Sequence, residues 1–188
     1  MVIIKEKEPL QEKLEYADKQ QFALLQKQID TDLETKKMLT SPMNKIPQYY
    51  WLYWRDDKYR FIEDASLFTI LKILTTFPNV KLLFSKIGRV FIGFLSYKES
   101  GTEIISMKIA SFKDDTKKTN PGLAIDLINF LNKEISKRTK IEWIADKANI
   151  AAINQYDKLL KTSSFSWSKE EDKKREMWVY TITGNKCN

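Results

Sequence analysis

Thr119-Asn120-Pro121-Gly122-Leu123-Ala124 is the stretch on which the reading of this chain turns. Asn is a preferred N-cap residue, and Pro is favoured at the first helical position. Gly122 and Ala124 keep the first turn bare, so that a ligand can approach its backbone. The unpaired amides of such a turn, at the positive end of the helix dipole, suit an anion. Lys113, Lys117 and Lys118 stand just ahead in a polar loop. A strand, a basic loop and a small-residue helix start can hold a pyrophosphate. An ordinary capped helix has the same signature, so the surrounding elements must decide between the two.

Upstream, Lys81 to Ser85, a turn at Lys86-Ile87-Gly88 and Arg89 to Tyr97 read as a hairpin. A second turn at Glu99-Ser100-Gly101-Thr102 leads into a strand from Glu103 to Phe112, giving three antiparallel strands in succession. Downstream, the helix opened by Asn120 runs to about Lys137, with Ile125, Ile128, Leu131 and Ile135 as its buried stripe. A short strand at Lys140 to Ala145 and a helix at Asn149 to Lys161 follow. Phe165 to Ile182 reads as a closing hairpin around a charged turn from Ser168 to Glu176.

Toward the N-terminus the pattern predicts a short strand at Val2 to Lys5. One helix is predicted from Tyr16 to Leu39, its stripe formed by Phe22, Leu25, Ile29 and Leu33. A second, from Leu67 to Phe77, is introduced by Asp64-Ala65-Ser66 and ended by Pro78-Asn79. The expected fold class is α/β, with a mixed, mostly antiparallel twisted sheet of about six or seven strands and four helices. A single domain is expected over 1–188, with a strand and two helices in 1–79 and the core in 80–182.

Apolar residues make up 43% of the chain, which is enough to build a core and too many for disorder. The net charge of +7 is uneven. Residues 1–48 are neutral, with eight basic and eight acidic side chains, and the excess lies in the later two thirds, where an anionic ligand could use it. Histidine is absent, which removes Ser-His-Asp and Cys-His nucleophile pairs and histidine-bearing zinc sites. No metal site is expected. The single Cys187 permits no internal disulfide and suits a reducing cytoplasm. The opening residues carry mixed charge rather than a secretory leader, and Lys86 and Arg89 interrupt the most apolar stretch, so no membrane partner is expected. The run Gln48-Tyr49-Tyr50-Trp51-Leu52-Tyr53-Trp54-Arg55, with Lys58 and Arg60 beyond it, could stack bases or wall a substrate cleft. Oligomeric state is open, a homodimer included.

The order of elements resembles that of the GNAT (general N-acetyltransferase) superfamily. The coenzyme loop of that family is typically Arg or Gln, two residues, Gly, one residue, then Gly or Ala. Thr119 to Ala124 is similar to it, with Thr in the first place and Lys117 or Lys118 nearby. The family also often carries Asn, two residues, Ala, three residues, Tyr on the helix after the fifth strand, and Asn149-Ile150-Ala151-Ala152-Ile153-Asn154-Gln155-Tyr156 resembles that motif. Where the family continues with Gly-Phe, this chain has Leu160-Lys161. Val90 to Ser96 is similar to the family's third strand, and the resemblance is clearest over 80–182.

The resemblance implies acetyl-coenzyme A as cosubstrate and an amine acceptor. The pantetheine arm would enter between splayed fourth and fifth strands and pair with the backbone at Ile109, Ala110 and Ser111. The pyrophosphate would be held near Lys117, Lys118, Thr119 and Asn120, at the amides of Gly122, Leu123 and Ala124. Asn149 would belong to the same site. Tyr156 matches the position that hydrogen-bonds or protonates the coenzyme sulfur, and an ordinary phenol, titrating near 10, remains a donor at neutral pH. Glu103 and Glu142 are the candidate bases, with a water relay as the alternative. Two competing readings are a GNAT-fold protein that binds without catalysis and, from another class, a single-strand nucleic-acid-binding module.

Overall fold

In the computed structural model, residues 12–42, 45, 65–112, 121–174 and 176–184 are described, with backbone alone at 12, 13 and 121–125. The expected strand at Val2 to Lys5, the aromatic run from Gln48 to Arg55, the loop from Lys113 to Asn120 and Cys187 lie outside the described residues. Seven strands form one sheet: β1 (Glu12–Tyr16), β2 (Val80–Ile87), β3 (Val90–Ser100), β4 (Glu103–Ser111), β5 (Lys140–Asp146), β6 (Ser166–Asp172) and β7 (Met177–Thr183). Their spatial order is β1-β2-β3-β4-β5-β7-β6. Every neighbouring pair is antiparallel except β4 and β5, which run parallel. A parallel pair cannot be joined by a tight turn, and the connection here is α4 (Pro121–Ile135).

Helices α1 (Lys19–Thr31), α2 (Leu33–Thr40) and α3 (Leu67–Leu74) cover one face of the first strands. Leu25, Ile29, Leu39, Leu67 and Leu71 bury there against Phe84, Phe94 and Phe112. Phe22 meets Phe84 edge to face at 5.2 Å and Phe68 at 5.9 Å, locking α1 and α3 to the sheet through preferred ring geometries. Gln28 adds a polar tie: its amide accepts from the backbone N–H of Phe91 at 2.8 Å and donates to the Phe91 carbonyl at 2.9 Å. On the other face α4 and α5 (Ile150–Lys161) bury Leu127, Phe130, Leu131, Ile153 and Leu160 against Leu95, Tyr97, Met107, Ile141, Trp143 and Tyr180.

The helix expected from Tyr16 to Leu39 is two helices and part of a strand. Tyr16 ends β1, opposite Leu83. Asp18 caps α1 by accepting from the backbone N–H of Gln21 at 2.8 Å. Asp32 takes an extended conformation (φ −113°, ψ 110°), and its carboxylate accepts from the N–H of Glu34 and Thr35, so a residue read as part of the helix's polar face instead starts a new helix. The described helices therefore number five rather than the expected four. The closing hairpin is present, but its turn is shorter than expected, because Ser168 to Asp172 continue β6.

Ser106 breaks the middle of the sheet. Between Ile104 and Met107, β4 has one residue more than β5 opposite it, and the ladder to β3 slips over the same residues. Ser106 holds φ at +52°, a left-handed conformation uncommon outside glycine. The bulge bends the strand, and β4 makes no registered pair with β5 beyond Met107 opposite Trp143. The other end is closed. The Thr139 amide donates to the Thr102 carbonyl at 3.1 Å, and the two threonine hydroxyls lie 3.0 Å apart. Gly184 donates to Thr139 at 3.1 Å in a position where a Cβ would collide with the Arg138 carbonyl.

The positive φ makes Ser106 selective among substitutions. A β-branched side chain tolerates that conformation poorly, whereas glycine takes it freely. Ser106→Val is expected to lose about 2 kcal/mol of stability, and Ser106→Gly to lose none, as read from equilibrium urea unfolding of the three proteins side by side.

Candidate functional site

The bulge makes a wedge between β4 and β5, closed at Glu103 and Lys140 and open past Met107 and Trp143. Ile109, Ala110 and Ser111 lie on the open side. They pair with Leu95, Phe94 and Gly93 of β3 and have no registered partner on β5. Ala110 packs into the first core, Ile109 borders the second, and the Ser111 side chain is buried. Beyond the strand's end the chain re-emerges in α4, so Gly122, Leu123 and Ala124 form the first turn of that helix, with Pro121 at its first position as expected. Asp126, one turn further on, is buried and accepts a hydrogen bond from the buried Ser85 hydroxyl of β2, fastening this part of α4 to the sheet. Lys117, Lys118, Thr119 and Asn120 lie outside the described residues.

On the β5 side, Asp146 shapes the turn into α5: its carboxylate accepts from the N–H of Ala148 at 2.9 Å and its carbonyl from that of Asn149. Asn149 caps the helix, its side-chain oxygen accepting from the N–H of Ala152 at 3.1 Å. That hydrogen bond accounts for Asn at the start of the motif and commits its side-chain oxygen to capping the helix. Two turns along, Tyr156 is half-buried against Trp143 and Tyr180. Trp143 and Tyr180, opposite one another on β5 and β7, stack at 5.5 Å with an interplanar angle of 7°, and the Tyr156 ring meets each edge to face, at 6.0 and 5.5 Å. A tyrosine on α5 is thus held beside the last β5 residue that pairs with β4.

Glu103 is not in this group. It stands four residues before Met107, about 13 Å along the strand, at the closed end of the wedge, where it pairs with Lys140 at 3.2 Å. Glu142 shares the same lysine at 3.6 Å. The hydrogen bond that the Lys140 ammonium donates to Glu103 is the largest influence on it and helps raise it above its ordinary value. Both carboxylates therefore have a structural ion-pair partner.

Reading residues singly missed Asp157, Lys169 and Tyr180. The Tyr180 hydroxyl donates to Asp157 at 2.8 Å, and the Lys169 ammonium donates to both Asp157 oxygens at 2.8 and 3.0 Å. Lys169 also lies over the Trp178 ring at 4.6 Å and that of Tyr180 at 5.4 Å. Burial, followed by the hydrogen bond to Asp157, pushes the Tyr180 phenol well above its usual range. For Asp157 itself burial is the largest influence and acts upward, but hydrogen bonds from Lys169 and Tyr180 together outweigh it and hold the carboxyl below its ordinary value. Alternation along Met177–Thr183 puts Trp178, Tyr180 and Ile182 on one face, the signal in the sequence that could have found the stack.

No protein-family model matches the chain, and no curated protein matches it. Its fold is similar over nearly the whole length to solved structures of low identity. The N-acetyltransferase PseH of Campylobacter jejuni is 14% identical, with 93% of this chain and 99% of that one covered at a TM-score of 0.52. A domain from Methanocaldococcus jannaschii is 11% identical, with 92% and 98% covered and a TM-score of 0.56. Spermidine N-acetyltransferase of Vibrio cholerae, solved in complex with CoA and spermine, is 13% identical, with 94% and 97% covered and a TM-score of 0.54.

The Asp157 cluster has a signed pH dependence. The folded carboxyl lies below the unfolded one, so the unfolded chain takes up the proton first as pH falls. The stabilisation is complete above the ordinary value of 3.8 and drains away as pH drops through the lower folded value. Thermal melts between about pH 5 and pH 2.5 are expected to show a shallower acid-side loss in Asp157→Asn than in the unaltered protein.

Proposed function

We propose that this chain, which has the fold of the GNAT N-acetyltransferases, is an acetyl-coenzyme A-dependent N-acetyltransferase that passes the acetyl group directly to an amine. The observation that carries the reading is the wedge: past Met107 the β4 strand keeps its pairing with β3 but registers no pair with β5, and the first turn of α4 and Tyr156 on α5 follow on its two sides. An extended arm that pairs with an open strand edge gains main-chain hydrogen bonds. The donors and acceptors at Ile109 to Ser111 suit the amides of a pantetheine arm. The amides at Gly122, Leu123 and Ala124, at the positive end of α4, suit a pyrophosphate. Lys117, Lys118, Thr119 and Asn120 belong to the same proposal, as does Asn149 at the cap of α5.

Acetyl-CoA supplies an activated acetyl thioester to the acceptor nitrogen. Tyr156 keeps a proton on its phenol oxygen for the departing sulfur, and its neighbours restrict the ring to one orientation. Direct transfer suits a chain with no histidine and so no His-activated nucleophile. The base is assigned to a water relay rather than to Glu103, because Glu103 is paired with Lys140 at the closed end of the wedge. A second reading, coenzyme binding without turnover, is favoured by the same ion pair.

The test is calorimetric titration with acetyl-CoA followed by thiol-release turnover on a panel of primary amines. Micromolar binding is expected, weakened at least tenfold when Gly122 and Ala124 are made bulky, together with turnover that Tyr156→Phe cuts about a hundredfold at little cost in affinity. Binding without turnover of any amine would support the second reading. No binding at millimolar acetyl-CoA would overturn both.

A further inference from the structure

Buried polar groups almost always have hydrogen-bond partners, and a buried exception calls for an explanation. Among the described residues the buried side-chain atom without a partner is Nε1 of Trp143, on a residue only 1% exposed. Its position is informative. Trp143 pairs with Met107 in the last registered pair before β4 and β5 part, so the residue that carries this unsatisfied donor stands at the vertex of the wedge. The rings around the indole hold it rigidly, Tyr180 stacked on one face and Tyr156 meeting it edge to face. Nε1 forms a hydrogen bond to neither tyrosine hydroxyl. The carboxylate bordering the cluster, Asp157, accepts from Tyr180 and Lys169 instead.

Phenylalanine would fill much of this volume without burying a donor. A tryptophan whose N–H finds no acceptor in the folded chain costs stability that a ligand acceptor would restore. The neighbours of Trp143, the β4 strand at Met107 and the Tyr156 ring, belong to the groups assigned above to the pantetheine arm and its sulfur. We infer that the Trp143 Nε1–H receives a carbonyl oxygen of an acyl-pantetheine arm lying between β4 and β5. Trp143 is then a binding donor that sets how deep the arm enters the wedge. The inference rests on the coenzyme reading of the same site. The carbonyl belongs either to the thioester, present in acetyl-CoA and absent from CoA, or to a pantetheine amide, present in both.

The experiment follows the indole N–H signals of protein labelled with nitrogen-15 tryptophan during titrations with acetyl-CoA and with CoA, alongside calorimetry. Five tryptophans give five such signals, and the Trp143 signal is the one removed by Trp143→Phe. Because that variant could unfold, a second replaces residue 143 with benzothienylalanine, which keeps the bicyclic shape and loses only the N–H. The expected result is a downfield move of the Trp143 proton on ligand binding, and about tenfold weaker acetyl-CoA binding by the benzothienylalanine protein, whose ligand-free melting temperature is equal or higher. A move with acetyl-CoA alone identifies the thioester carbonyl, and a move with both ligands a pantetheine amide. Binding heat with an unmoved Trp143 signal and undiminished affinity in the benzothienylalanine protein would overturn the inference while leaving the coenzyme reading intact. Absence of binding heat would overturn both.

Discussion

The backbone of Ser106 carries the arrangement. One extra residue in β4, held at positive φ, ends the pairing of β4 with β5 after Met107, while the strands stay tied at Thr102, Thr139 and Lys140. A sheet with a continuous ladder there would have no parting between neighbouring strands in its interior. Residues on both sides of the opening depend on that geometry. Ile109 to Ser111 lie along one rail, the first turn of α4 follows from its end, and Trp143 and Tyr156 flank the other rail.

The two cores are arranged so that the opening can exist without loosening the sheet. The first is built from phenylalanines on β2 and β3 and from Phe112 just past the end of β4, is covered by α1 to α3, and fixes β4 from its own side. The second joins both halves through α4 and α5. The stack of Trp143 on Tyr180, braced by Tyr156, replaces on the β5 side the ladder that β4 no longer supplies. The Asp157, Lys169 and Tyr180 hydrogen bonds then hold α5 to β6 and β7. Aromatic contact area and charge-assisted hydrogen bonds therefore keep rigid a half-sheet that would otherwise lean on one strand edge.

Much of this was legible in the sequence, for identifiable reasons. The hairpin of β2 and β3, the helix begun by Pro121 and the capped helix after Asn149 follow local rules of turn, cap and periodicity, and all three are observed. The helix from Tyr16 to Leu39 misled because the stripe of Phe22, Leu25, Ile29 and Leu33 keeps helical spacing across Asp32, while the carboxylate that caps α2 looks from sequence like one more surface charge. Leu33, the last member of that stripe, is 83% exposed, which shows that the register is broken there. The bulge carries no glycine or asparagine signal. Its only trace is a slip in alternation, with Ile104 and Met107 three apart on the face that Ile109 then continues two further on. Glu103 was chosen for its residue type at a strand start, and type alone could not reveal that Lys140 lies opposite it.

In the proposed function an acyl-coenzyme A arm occupies the opening between β4 and β5. Amide hydrogen exchange, followed with and without saturating acetyl-CoA, tests it most directly. Slowed exchange confined to 108–111 of β4 and the first turns of α4 and α5, with 103–105 unchanged at the closed end, is the predicted result. Ligand binding that leaves the β4 amides exchanging at their free rate, with protection elsewhere on the molecule, would contradict it.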